Sequence, residues 1–151
     1  MKRSIKTIAF VVALFLTLGV SSSFAATTAS NNDENQMILA SFHKDFRTAE
    51  LIGIEAKKEY TKVTFKLNNL VLFAFYSENG DLIAVVRNIL SSQLPIQLLM
   101  DLKQNHSNCW ITDLFEIDSN GETNYYITLE NGDNQVTLRS TSSNNWETYH
   151  R

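Results

Sequence analysis

Three carboxylates, Asp113, Glu116 and Asp118, fall close together in the chain. Two carboxyl groups facing each other across a cleft do general acid–base hydrolysis. These three lie in and just after Trp110–Ile117, a stretch that reads as a strand, where successive side chains point to opposite faces. A solvated acidic edge is the expectation. His106 and Cys109 stand three apart and could hold a metal or pair a base with a thiol. Two ligands make no zinc site, and no second pair exists. Asn108 and Trp110 flank the thiol without a cation to stabilise a thiolate. His43 falls on a polar helix face and His150 near the C-terminus. Asn131-Gly132-Asp133-Asn134 has calcium-loop composition but lacks the distal Glu of that pattern. Gly-rich phosphate loops, CxxC pairs and nucleophile elbows are absent. The chain reads as a non-enzyme with no catalytic residues, no metal site and no cofactor.

Aromatic residues offer recognition chemistry instead. In Thr123–Glu130, alternation sets Tyr126 opposite to Tyr125, Ile127 and Leu129, away from the core. Tyr76, Trp146 and Tyr149 are candidates for the same open surface, with Lys62, Lys66 and Arg139 among them. Tyrosine and tryptophan on an open sheet are typical of partner-binding surfaces. The competing reading is that each packs on its cross-strand neighbours. Asp81 closes an acidic hairpin, Glu78-Asn79-Gly80-Asp81, whose tip could enter a hydrolase site. Tyr76, Tyr126, Trp146, Tyr149 and Asp81 are the candidate partner-binding residues.

The elements that position these residues are legible in periodicity. Leu39, Phe42, Phe46 and Ala49 recur at helical spacing and predict a helix over about 36–49, capped by Asn32 or Asp33. From residue 51 the period becomes two. Strands are expected at Leu51–Lys58, Thr61–Leu67, Val71–Tyr76 and Leu82–Val86. Ser91-Ser92-Gln93-Leu94-Pro95 is a helix entrance leading an apolar stripe, Ile96, Leu98, Leu99 and Leu102, to about Asn105. Strands return at Trp110–Ile117, Thr123–Glu130, Gln135–Ser140 and Trp146–His150. Asn68-Asn69, Asn79-Gly80, Asn120-Gly121 and Asn131-Gly132 mark tight hairpins, the pattern of an antiparallel meander.

The first 25 residues carry Lys2, Arg3 and Lys6, then the apolar run Thr7–Val20, then Ser23-Phe24-Ala25. That is the pattern of a cleavable signal peptide, and the apolar run is short for a membrane span. A periplasmic or secreted protein that is not membrane-embedded after cleavage is expected. Residues 26–36 read as a disordered leader and 37–151 as one domain. Cleavage removes three of the 13 basic residues and none of the 16 acidic ones, moving the net charge from −3 to −6. No basic run favours nucleic acid. Cys109 is the one cysteine. No internal disulfide can form, so the apolar core must hold the fold. Cys109 itself is expected as a small buried hydrophobe.

The two halves align, Val63-x-Phe65-x-Leu67 with Tyr125-x-Ile127-x-Leu129. The expected fold is therefore α+β: two helix-plus-four-stranded antiparallel meander repeats, about 37–90 and 91–151, with helices on one face. In FHKDF at 42–46, YTKVTFKLNN at 60–69, Leu94-Pro95, WITDLFEI at 110–117 and YYITLENGDN at 125–134, the chain resembles the PepSY-like, β-lactamase-inhibitor-like family of small secreted bacterial proteins. The resemblance implies a helix-plus-sheet repeat and a protein-binding or inhibitory role. The characterised inhibitor of this architecture carries disulfides, which a chain with one cysteine cannot form internally. The expected function is a binding module that holds a protein, peptide or envelope polymer on its open sheet face. The alternative is a hairpin inhibitor of an extracytoplasmic peptidase or β-lactamase. The sequence leaves the oligomeric state open.

Overall fold

The computed structural model describes residues 32–132, 134–141 and 145–150. The expected signal peptide lies outside them. The described chain runs α1 (Asn32–Asp45), β1 (Glu50–Ala56), β2 (Thr61–Leu67), β3 (Leu70–Tyr76) and β4 (Leu82–Asn88). A 3-10 turn at Ser91–Gln93 leads to α2 (Ile96–Asn105). Then follow β5 (Trp110–Ser119), β6 (Glu122–Asn131), β7 (Asn134–Thr141) and β8 (Asn145–Thr148). All eight strands belong to one sheet, in chain order β1 to β8.

That single sheet corrects the expected fold class. Two helix-plus-four-stranded repeats on 37–90 and 91–151 are not what forms. One eight-stranded sheet carries two short helices of unequal length, 14 and 10 residues. The chain does part into two compact units, but the division runs between Val85 and Val86, inside β4.

In the first unit, Ile38 and Phe42, one helical turn apart, are fully buried. They pack on Val63 and Phe65 of β2 and on Ala74 and Tyr76 of β3. Phe42 meets Phe65 edge-on with ring centroids 5.2 Å apart. Fully burying one such side chain contributes about 1.5–3 kcal/mol. The helix starts at Asn32, so residues 32–36 of the expected leader are helical. It ends at Asp45, short of the expected 49. Phe46 N–H still bonds the Phe42 carbonyl at 2.8 Å, and Phe46 and Ala49 keep their contacts with the core. Asn68 and Asn69 take φ of 50° and 64°, the mirror-image turn that joins strands by two residues. That turn sets Val63 opposite Ala74 and Thr61 opposite Tyr76.

Tyr76 was expected on the open surface. It is fully buried beneath α1, and its hydroxyl donates to Asp45 Oδ2 at 3.1 Å. Burial, with the Asp45 carboxylate beside it, holds the phenol far above the usual tyrosine range. Asp81 sits in the β3–β4 turn. There Asp81 N–H and Asn79 N–H both donate to Ser77 Oγ, and Ser77 N–H donates to the Asp81 carbonyl. Gly80, at φ +77°, presses against α1: a Cβ there would come within 3.0 Å of Ser41 Oγ.

In the second unit, α2 lays Leu98 and Leu102 on Leu114, Ile127, Leu129 and Leu138. Pro95 caps the helix from outside, and its carbonyl accepts from Leu99 N–H at 3.1 Å. Cys109 is half-buried at the edge of this core, less enclosed than expected. Trp146 also packs here, and its indole N–H donates to the Leu98 carbonyl at 3.0 Å. Its place is against α2, not on the open face expected for it. Arg87 and Glu116 form a two-pronged ion pair, Nε to Oε1 at 2.7 Å and Nη2 to Oε2 at 3.0 Å.

Gly80→Ala and Gly121→Ala impose the same φ of +77° on an alanine, but only Gly80 has a neighbour within 4 Å. Both variants should lose about 1 kcal/mol from backbone strain. The Gly80 variant should lose more, and the difference between their urea midpoints reads the packing of the hairpin on α1. The Tyr76 phenol also sets an alkaline limit. The unfolded chain ionises near 10.0 while the folded one resists. The stabilisation is complete below that value and falls as pH rises past it. Tyr76→Phe should lower stability at neutral pH by about 1 kcal/mol, the worth of one hydrogen bond. It should also flatten the decline above pH 10 in urea-melt series.

Candidate functional site

Alternation gives β6 and β7 two distinct faces. Ile127, Leu129 and Leu138 look toward α2, so Tyr126, Thr128, Thr137 and Arg139 look the other way. Register sets Tyr126 between Phe115 on β5 and Arg139 on β7. It sets Arg139 opposite Glu147 on β8. Beyond β8, Tyr149 N–H bonds the Thr137 carbonyl at 2.8 Å. This holds Tyr149 on the same face, edge-on to Tyr126, with ring centroids 5.5 Å apart at 87°. Tyr149 is half-buried, while Tyr126 is only 2 % exposed.

Arg139 Nε donates to Glu147 Oε1 at 3.0 Å, and Nη2 reaches the same oxygen. Glu147 thus holds the guanidinium at the register position opposite Tyr126. Burial pushes the Tyr126 phenol above its ordinary value, while the Arg139 cation pulls the other way. The resulting face combines two tyrosine rings, Thr128, Thr137 and an oriented ion pair, the mixture from which protein-binding patches are built.

In the first unit, the face of β2 and β3 turned from α1 has a related composition. Lys62 lies over the Phe73 ring, 5.0 Å from its centroid, and pairs with Glu55 directly across the strand at 3.0 Å. Tyr60 and Phe75 lie beside it with centroids 5.6 Å apart.

Of the five residues expected to bind a partner, Tyr126 and Tyr149 come together. Tyr76 and Trp146 face the helices of their units, and Asp81 belongs to the hairpin on α1. Tyr126 is on the expected face but is buried rather than exposed. Phe115 and Glu147 were missed as neighbours; the strand register finds both. The expected solvated acidic edge holds for Asp113 and Asp118, which are exposed, but not for Glu116, which is half-buried on the same face as Leu114. Glu116 pairs with Arg87, and Asp118 accepts from Thr123 Oγ1 at 3.0 Å. Among the described residues, no three metal-ligating side chains converge, and no helix is long and apolar enough to cross a membrane.

No family model matches the chain, and no curated protein matches it by sequence. Its fold is shared with solved structures. A DUF2874 family protein from Bacteroides ovatus superposes with a TM-score of 0.68 at 11% identity, over 75% of this chain and 84% of that one. A BLIP-like protein from Bacteroides fragilis gives 0.67 at 18% identity, over 76% and 84%. A protein from Bacteroides eggerthii, named as a candidate periplasmic protein, gives 0.65 at 10%, over 74% and 86%. The chain therefore has the fold of DUF2874 and BLIP-like proteins. None of these neighbours is named for PepSY.

Arg139→Gln removes the one cation that lowers the Tyr126 phenol. The phenol, already above the usual tyrosine value, should titrate higher still, followed by NMR of a ring-labelled tyrosine. An unchanged titration would show that Arg139 does not act on the ring.

Proposed function

We propose that the chain is a non-enzymatic, extracytoplasmic module that holds a protein or peptide partner on the β6–β8 face turned away from α2. One observation carries this reading. Tyr149 stands half-exposed against a buried Tyr126, beside a guanidinium that Glu147 has already oriented. Such a patch loses little side-chain entropy on docking, because its rotamers are fixed beforehand. The basic, apolar N-terminal run supports export, and the fold shared with a BLIP-like protein supports a protein partner.

A photo-crosslinking amino acid at position 149 tests the reading in the native envelope. It should capture a discrete protein, whereas the same probe at Gln97, on the exposed side of α2, should not. Tyr149→Ala should weaken the captured interaction at least tenfold, with a thermal midpoint within a few degrees of the parent. Equal capture at both positions would remove the proposal.

A narrower reading draws on the β3–β4 hairpin. Its backbone is fixed by Ser77 and by α1, and Glu78, Asn79 and Asp81 are exposed upon it. A rigid acidic tip is preorganised for a cationic substrate site. Titration against extracytoplasmic peptidases and β-lactamases, with Asp81→Lys as the control, tests inhibition directly. Inhibition that survives the charge reversal would exclude this tip.

A further inference from the structure

The unit that carries Tyr126 has a second feature, on the other face of β6. A cavity of about 290 Å³ opens beneath the C-terminal end of α2. Its apolar walls are Leu99 and Leu102 from the helix, Ile111 from β5 and Leu129 from β6. Leu129 and Leu102 are core residues, only 2 % and 7 % exposed, and form its floor. Ile111, 42 % exposed, forms an apolar lip. The polar lining includes Lys103 and His106, and no carboxylate lines the cavity. In a chain with 16 acidic and 13 basic residues, a lining with a cation and no acid selects by charge.

We propose that this cavity binds a medium-chain carboxylate, its acyl chain on Leu99, Leu102, Ile111 and Leu129 and its head group at Lys103. The chemistry of the walls decides the class. An apolar floor with a few polar groups on one side is the usual form of a small-molecule site. A purely polar anion would leave the four aliphatic side chains unused, and an uncharged alkane would leave Lys103 unused. Size decides the length. A methylene is comparable in volume to a water molecule, whose share of liquid volume is about 30 Å³. The space thus fits a chain of roughly eight to ten carbons. The α2 C-terminus points partial negative charge toward the same region, which an anion opposes. The head group must therefore sit at the Lys103 ammonium and away from the helix axis. The patch around Tyr126 and Tyr149 takes no part.

Calorimetry on the full chain with hexanoate, octanoate, decanoate, dodecanoate and decanol tests the assignment. The carboxylates should bind saturably, about fourfold more tightly for each methylene that enters the cavity. The gain should stop near ten carbons. Decanoate should be preferred to decanol, and Lys103→Gln should abolish that preference while leaving decanol unchanged. Cys109 lines the same cavity, so bound decanoate should slow its reaction with a maleimide. Ile111→Trp, at an exposed position that tolerates the change, should block binding with the fold intact by circular dichroism. Absence of saturable binding would overturn the proposal. So would affinity that keeps rising beyond ten carbons with Cys109 unprotected, which is detergent-like adsorption, or a carboxylate preference that survives Lys103→Gln.

Discussion

Two-residue alternation is the constraint on which everything else depends. With one cysteine the chain cannot cross-link itself, so stability rests on filling the helix-facing side of each strand. In the first unit, Val63, Phe65, Ala74 and Tyr76 fill it under α1. In the second, Leu114, Ile127, Leu129 and Leu138 fill it under α2. A slip of one residue in any strand would send these groups to the opposite face. The tight turns prevent that slip. Asn68, Asn69, Asn120, Gly80, Gly121 and Gly132 all sit at positive φ, which ordinary side chains resist. The asparagines and glycines that look like loop filler are what fix the register.

Polar groups at the helix–sheet boundary make that register specific. Tyr76 reaches Asp45 at the end of α1, and Trp146 reaches the Leu98 carbonyl inside α2. Each is a large ring whose polar atom bonds a group of the helix, so it ties one helix to one strand position. A buried donor left without its partner costs about 1–3 kcal/mol, more than the bond itself contributes. Misdocked arrangements therefore lose more than the native one gains. Arg87 and Glu116 follow the same logic with charge. Their side chains are 30% and 18% exposed, and the two-pronged geometry satisfies both groups at once. Such a pair adds little net stability but penalises any register that separates it.

Strand positions were legible in the sequence to within about two residues, because alternation and Asn-Gly turns report local geometry. Tyr76 was legible too, though it was set on the open surface without its register being counted. Counting back through the two-residue Asn68-Asn69 turn sets Tyr76 opposite Thr61, on the same side as Val63 and Phe65. Trp146 could not be settled this way, because the sequence before it carries no two-residue turn signal that fixes the register. The start of α1 was hidden for another reason. Asn32–Gln36 are polar throughout, and a polar first turn held by the packing of later residues leaves no apolar signal. The parting of the units inside β4 was also invisible, since no local pattern marks it.

The two outer strands solve one problem in a common way, and the solution shapes what the faces can do. An edge strand exposes unpaired backbone groups that invite association. β1 answers with a bulge between Leu51 and Gly53 and with Glu55 paired to Lys62 across the strand. β8 answers by being only four residues long and by pairing Glu147 with Arg139. Both ion pairs project on the side away from the helix of their own unit. Each lies beside aromatic rings, Phe73 in one case and Tyr126 in the other. At β1 the charges that blunt the edge thus also hold a cation over a ring, Lys62 over Phe73. A partner gains little from adding a strand to such an edge. On the proposed reading it gains more from covering the exposed part of Tyr149 beside the Arg139–Glu147 pair.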